Sequence, residues 1–298
     1  MSDTSWGNGA KLGICLSLVL FFGGDTFAGV TLALPGVASQ GGFFKIAIKE
    51  DGKTQSEFYT IGFAGGAYKT FLDDGGRHVV FVPVRVDVEP GRRGIAVYQG
   101  DSVFLTREYI EVKRVNFPKS AKIFQRPPYT KRQLARLKKE QELLNDIYFS
   151  ETQERFFNGD LMFGHPLGDE VLRISSEFGA IRKVKVGKDP KIHIVRHYGI
   201  DYPVLEGAPV LAADSGVVKF AGNLLGAGKT IIIDHGYGVF SVYEHLSKTA
   251  VKEGDLVSRG EGIAYSGKTG NATGPNLHFG IKLHKVWIDP KYFFGGAG

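Results

Sequence analysis

The chain changes its hydrophobic rhythm twice. Between Gly29 and about Asn116, apolar and polar residues alternate in short runs at 43–48, 58–63, 78–88, 95–98 and 103–115, with Gly and Asp clusters between them. In the longest run Val80, Val82, Val84, Val86 and Val88 share one face, a period of two that a helix cannot use. The pattern predicts an all-β unit, read as an immunoglobulin-like sandwich. After the Pro127-Pro128 break, between Arg126 and about Phe157, the spacing of Leu134, Leu137, Leu144 and Tyr148 among Lys, Arg, Glu and Gln becomes helical. Its charge runs from basic to acidic, against the helix dipole, so packing rather than intrinsic propensity is expected to hold it. Beyond Gly164 short strands return at 209–213, 216–222, 229–235, 240–246, 262–266 and 276–283, separated by glycine turns.

The first 28 residues follow neither rhythm. Lys11 precedes an apolar run at 12–22, and Thr26-Phe27-Ala28 offers small residues of the kind a signal peptidase reads. A run of that length falls short of the roughly twenty residues that span a bilayer. The reading is a cleavable signal at 1–28 and a periplasmic mature chain with no stable transmembrane anchor. The alternative is anchoring by an uncleaved N-terminal segment. The expected organisation is signal 1–28, sandwich 29–116, helical connector 117–159 and a second β domain at 160–298.

Composition then narrows the chemistry. The only cysteine, Cys15, lies inside the expected signal's apolar run, so the mature chain would have no disulfide and any metal must be held by nitrogen and oxygen. The net charge of +6 becomes +7 when residues 1–28 are removed, which suits an anionic partner or simple solubility. No nucleic-acid motif is present, so nucleic acid is not an expected partner.

Four histidines sit in segments whose side-chain directions can be argued. Alternation over 276–283 puts Leu277, Phe279, Ile281 and Leu283 on a core face, and Asn276, His278 and Lys282 on the other. His197 and Asp201 would lie about 13 Å apart along a straight strand, too far to share a metal, but Gly199 permits a bend between them. Two imidazoles and a carboxylate would leave one tetrahedral zinc position for water, as in a catalytic site. His235 reads as a strand-ending structural residue. His284 is about 20 Å along the strand from His278, too far to share its metal, and His193 reads as a loop residue.

Three blocks, His197-Tyr198-Gly199-Ile200-Asp201, Val242-Tyr243-Glu244-His245-Leu246, and the run from Ser266 to Pro275 leading into Leu277-His278-Phe279, resemble the lysostaphin-type (LytM-like) zinc endopeptidases in order and spacing. Phe178-Gly179, Pro209-Val210 and Gly216-Val217-Val218 add to the likeness, which covers about residues 160–290. The resemblance implies a C-terminal antiparallel β-groove of duplicated-hybrid-motif type that binds peptidoglycan stems and cross-links. It also implies zinc on His197, Asp201 and His278, with His245 assisting at the metal. One position departs from it. The family's last strand carries His-x-His, whereas this chain has Asn276-Leu277-His278, so the metal ligand is kept and its catalytic neighbour is replaced. Asparagine can donate to an oxyanion but cannot take a proton. Two readings therefore stand: an endopeptidase cutting peptidoglycan cross-links, and a weakened module that binds cell wall or activates a cell-wall amidase. Other cell-wall or divisome proteins are candidate partners in either case.

Overall fold

The computed structural model describes residues 26–294 except 28, 54, 151, 158 and 169–172. Apart from Thr26–Phe27, which pair with Thr31 and Val30, the expected signal lies outside the described residues. Among the described residues, no helix is long and apolar enough to cross a membrane.

The first half of the chain forms two five-stranded sheets around a shared core that includes Phe44, Ile46, Tyr59, Ile61, Val80, Val82, Ile95 and Ile110. The pairing is antiparallel except where Glu111–Lys113 run parallel to Val37–Ser39. The long valine run is shorter as a strand than the alternation suggests. It ends at Pro83, which cannot donate to a ladder, and Val86 turns away to pack on the other core of the protein.

Strands Phe43–Glu50 and His78–Pro83 are buried on both faces. Their even-numbered apolar residues fill the first core, whereas Phe43, Ala47, Val79 and Phe81 pack against Phe157, Phe163 and Phe293 from later in the chain. Burial of both faces explains why His78–Pro83 reads as a continuous apolar run as well as an alternating one.

Two findings correct the reading of the connecting segment. The helix spans Lys131–Phe149, shorter than the helical spacing suggested, and begins with a capping box between Thr130 and Gln133. Before it, Lys119–Arg126 is a strand that runs parallel to Ile181–Val186, which pairs antiparallel with Ile192–Arg196. His193 therefore lies within a strand rather than a loop.

The second half is built on a seven-stranded sheet whose middle strands are Gly216–Leu224, Gly228–Asp234, Val239–Leu246 and Leu277–Leu283. Leu277, Phe279, Ile281 and Leu283 are fully buried, as alternation requires. The helix is held by packing: Ile147 and Tyr148 join Ile232, Phe240 and Val242 in one apolar cluster.

A histidine and aspartate cluster on one sheet face

Asp201 and His278 meet because their strands pair. Ile200–Tyr202 lies antiparallel to Leu277–Leu283 with Asp201 directly opposite His278, which brings their Cβ atoms to about 5 Å. His197 reaches the same point because the chain leaves its strand at Arg196 and bends at Gly199. Its backbone is pinned from both sides, by His197 N–H to the Ala180 carbonyl at 2.9 Å and Gly179 N–H to the His197 carbonyl at 2.8 Å. Gly199 is required for room rather than for a left-handed backbone. A Cβ there would stand 2.5 Å from His278 Nε2 and 2.6 Å from the Phe279 carbonyl oxygen.

The three donor atoms form a close triangle. Asp201 Oδ1 is 2.9 Å from His197 Nε2 and 2.8 Å from His278 Nδ1, and the two nitrogens are 3.0 Å apart. These three residues are the group able to hold a metal ion found among the described residues. Bonds of roughly 2.0–2.2 Å would space tetrahedral ligands about 3.4 Å apart, so the triangle has to open by only a few tenths of an ångström. A nitrogen, nitrogen, oxygen donor set with no thiolate fits zinc or a similar divalent ion.

Surrounding groups fix how each donor is presented. His197 Nδ1–H donates to the Glu177 carbonyl at 2.9 Å, which leaves the lone pair on Nε2 facing the triangle. Arg182 Nη2 donates to Asp201 Oδ2 at 2.8 Å and to Ser176 Oγ at 2.6 Å, leaving Oδ1 to the two imidazoles. Burial opposes ionisation of Asp201, but hydrogen bonds and charge from both histidines outweigh it and hold the carboxyl well below the usual range. Burial lowers the basicity of His197 despite its bond to Asp201. Burial also acts against protonation of His278, but the carboxylates of Glu244 and Asp201 overcome it and raise its pKa.

His245 is brought to the same side by a break in alternation. Glu244 pairs across from His278, so the next residue would ordinarily turn into the core. A register shift opposite Lys229–Ile231 and a φ of 64° at His245 turn its ring instead toward His278, with centroids 6.0 Å apart. Its Nδ1–H donates to the Thr269 carbonyl at 2.9 Å, so Nε2 carries the lone pair. Burial lowers its pKa, which favours the neutral ring.

Asn276 precedes the strand and bonds through its backbone N–H to the Gly267 carbonyl at 2.9 Å. Its side-chain Oδ1 is buried without a hydrogen-bond partner. His235 is fully buried in a chain of polar contacts with Ser215, Ser241 and Tyr243, as a structural residue should be. Arg182, Ser176 and Glu244 were not singled out from the sequence. Only Glu244 carried a signal, through its place beside His245 in a strand.

The helix lies over another part of this same sheet face. Lys282, on the His278 side of its strand, sits under the Tyr148 ring at 3.8 Å, and burial pushes its pKa down to about 8. A cavity of about 180 Å³ remains between the helix and the sheet, bordered by Leu144, Tyr148, Glu244, Lys282 and Trp287. This sheet face thus carries the triangle in one part and is roofed by the helix in another.

Comparison with known proteins places this geometry. Residues 195–290, which include all three triangle residues, His245 and Asn276, match peptidase family M23. The segment 195–290 belongs to that family, the lysostaphin-type or LytM-like peptidases. An uncharacterized metalloprotease of Haemophilus influenzae is 37% identical over 147 residues, covering 49% of this chain and 30% of that protein. The peptidoglycan DD-endopeptidase ShyA of Vibrio cholerae is 41% identical over 111 residues, covering 37% of this chain and 25% of ShyA. The chain thus matches less than a third of the length of these curated relatives. A solved structure from Pseudomonas aeruginosa assigned to peptidase M23 aligns with a TM-score of 0.64 at 25% identity, over 88% of this chain and 96% of that one. That likeness reaches well beyond the M23 segment into the N-terminal sheets.

Proposed function

We propose that this M23-family chain is a zinc-dependent endopeptidase that hydrolyses peptide cross-links of bacterial peptidoglycan. The observation that carries the reading is the convergence of His197 Nε2, Asp201 Oδ1 and His278 Nδ1 to within 2.8–3.0 Å on one face of the sheet. Relatives named as metalloprotease and peptidoglycan endopeptidase support the metal and the substrate class.

His197, Asp201 and His278 would hold the ion. Zinc, when bound, supplies a Lewis acid that polarises a peptide carbonyl and brings the pKa of water toward neutrality. The protein's own groups do the rest. Glu177 and Ser176 keep His197 in one tautomer, and Arg182 keeps Asp201 in one rotamer. His245, neutral with Nε2 exposed to the site, accepts the proton released from the attacking water and returns it to the leaving amine. Asn276, two residues before His278, would donate through its amide to the developing oxyanion, a role that needs no titrating nitrogen.

Export to the periplasm follows from the same substrate, with residues 1–28 as the signal. In this reading residues 29–116 form an immunoglobulin-like accessory domain, 117–159 connect it and 160–298 are the peptidase domain. The second reading, a module that binds cell wall or activates an amidase, is favoured by Asn276 standing where the family has histidine.

The test is to measure zinc in the purified chain by mass spectrometry and to follow new amines in digested cross-linked muropeptides, with and without a chelator. One zinc per chain and chelator-sensitive cleavage are expected. Zinc without new amines would replace the peptidase by the binding module, and a chain that takes up no zinc would remove the metal assignment.

A further inference from the structure

Lys119–Arg126, Ile181–Val186 and Ile192–Arg196 form a three-stranded ribbon. Register places Ile123 beside Lys183 and Lys183 beside Ile194, then Gln125 beside Lys185 and Lys185 beside Ile192, so these six share a face. The opposite face carries Arg182, which braces Asp201, and the buried Val184. The face with the isoleucines is open: Ile123 is 47%, Ile192 42% and Ile194 63% exposed. The ribbon with the turn at 187–191 holds nine lysines and arginines against one carboxylate, Asp189, which is itself beside His193 at 3.2 Å.

We propose that this face docks on the surface of an anionic phospholipid bilayer. The alternation of isoleucine and lysine across the strands selects this occupant. At a bilayer interface the isoleucines can enter the acyl boundary while the lysine stems run along them and carry their ammonium groups to headgroup phosphates. A dissolved polyanion would satisfy the lysines and leave three isoleucines in water. A second copy of the chain would set Lys183 and Lys185 against lysines of the same charge with no carboxylate of this face to pair them. An apolar protein surface would strip water from Lys183 and Lys185 without pairing them. Docking through this face leaves the Arg182 face turned away from the lipid, so the inference stands whether or not the triangle binds zinc.

The test reads the contact locally, because residues 12–22 could carry the full chain to vesicles by themselves. In a Cys15→Ser background, Ile194→Cys is labelled with a polarity-sensitive fluorophore, and Leu256→Cys, at a somewhat more exposed position, serves as reference. Vesicles containing phosphatidylglycerol should brighten and blue-shift the probe at 194 and not at 256, and phosphatidylcholine vesicles should do neither. At about five-fold per lysine near an anionic surface, Lys183→Gln with Lys185→Gln should weaken the apparent affinity read at 194 by about 25-fold. A silent probe at 194 on anionic vesicles would overturn the proposal. So would the same spectral change with soluble polyglutamate, or an affinity indifferent to the two lysines.

Discussion

Gly199→Ala is the smallest change that should separate the cluster from the rest of the fold. The added methyl carbon would lie 2.5 Å from His278 Nε2, 2.6 Å from His278 Cε1 and 2.6 Å from the Phe279 carbonyl oxygen. Ordinary contact begins near 3.4 Å, so overlaps of about 0.8–0.9 Å must be relieved. The carbonyl belongs to the central strand of a buried sheet and cannot retreat, so the His278 ring or the Tyr198–Ile200 backbone has to move. Overpacking of this kind costs about 1–3 kcal/mol. More telling is where the strain falls: the ring that yields is the one whose Nδ1 closes the triangle, and a displacement near 1 Å takes it out of bonding range. Urea denaturation should therefore show a loss of about 1–3 kcal/mol, and competition against a chromophoric chelator should show zinc affinity reduced by at least tenfold. Gly274→Ala is the control, since a Cβ there meets nothing within 4 Å. If Gly199→Ala binds zinc as tightly as wild type, His278 is not held against Gly199 in the metal-binding state and the steric argument fails.

Further outcomes follow from the same contacts. Arg182→Ala should lower zinc affinity by about 10- to 100-fold, as losses behind a metal ligand generally do, with Arg182→Lys recovering part of it. Unchanged or tighter binding by chelator competition would mean that the arginine only offsets charge. At equal zinc occupancy, His245→Ala should slow muropeptide cleavage by about 10²- to 10⁴-fold. Asn276→His should raise the rate, and a fall would make the asparagine an adapted catalytic group. His235 gives a pH signature: burial lowers its folded pKa to about 4 from 6.5, so the unfolded chain binds the proton first. Stability should fall as pH drops from about 6.5 to 4, by about 3 kcal/mol in all, and His235→Gln should remove that component from urea midpoints measured across the range.

How much of the site could be read in advance depends on how local its causes are. The His278 strand was legible because its four core residues and its outward histidine obey one alternation over seven residues. The bend at His197–Asp201 was legible as a need, since a straight strand would separate the pair, but its cause was not. Gly199 reads as backbone freedom in the sequence, and in the fold it makes room for the ring of a residue 79 positions later. His245 shows the opposite limit. Alternation alone would put it in the core, and only the register shift, set by how Lys229–Ile231 pairs, brings it to the site.

Non-local partners account for the remaining misreadings. The strand Lys119–Arg126 looks like the entry to a helix because its pairing partner lies some sixty residues on, and its exposed side chains give it no alternation of its own. Arg182 is one of many basic residues in sequence, and only the pairing of Ile181–Val186 with Ile192–Arg196 carries it to Asp201. That one ribbon has two faces with different demands. The inner face must supply a single cation at a fixed point to hold a carboxylate still, and one arginine suffices. The outer face has no such point to serve, yet it keeps lysines and isoleucines in alternate positions at the cost of three exposed apolar side chains. A strand free to be polar outside and apolar inside would not be written this way, and the excess on its outer face is the reason to look for a surface that accepts both.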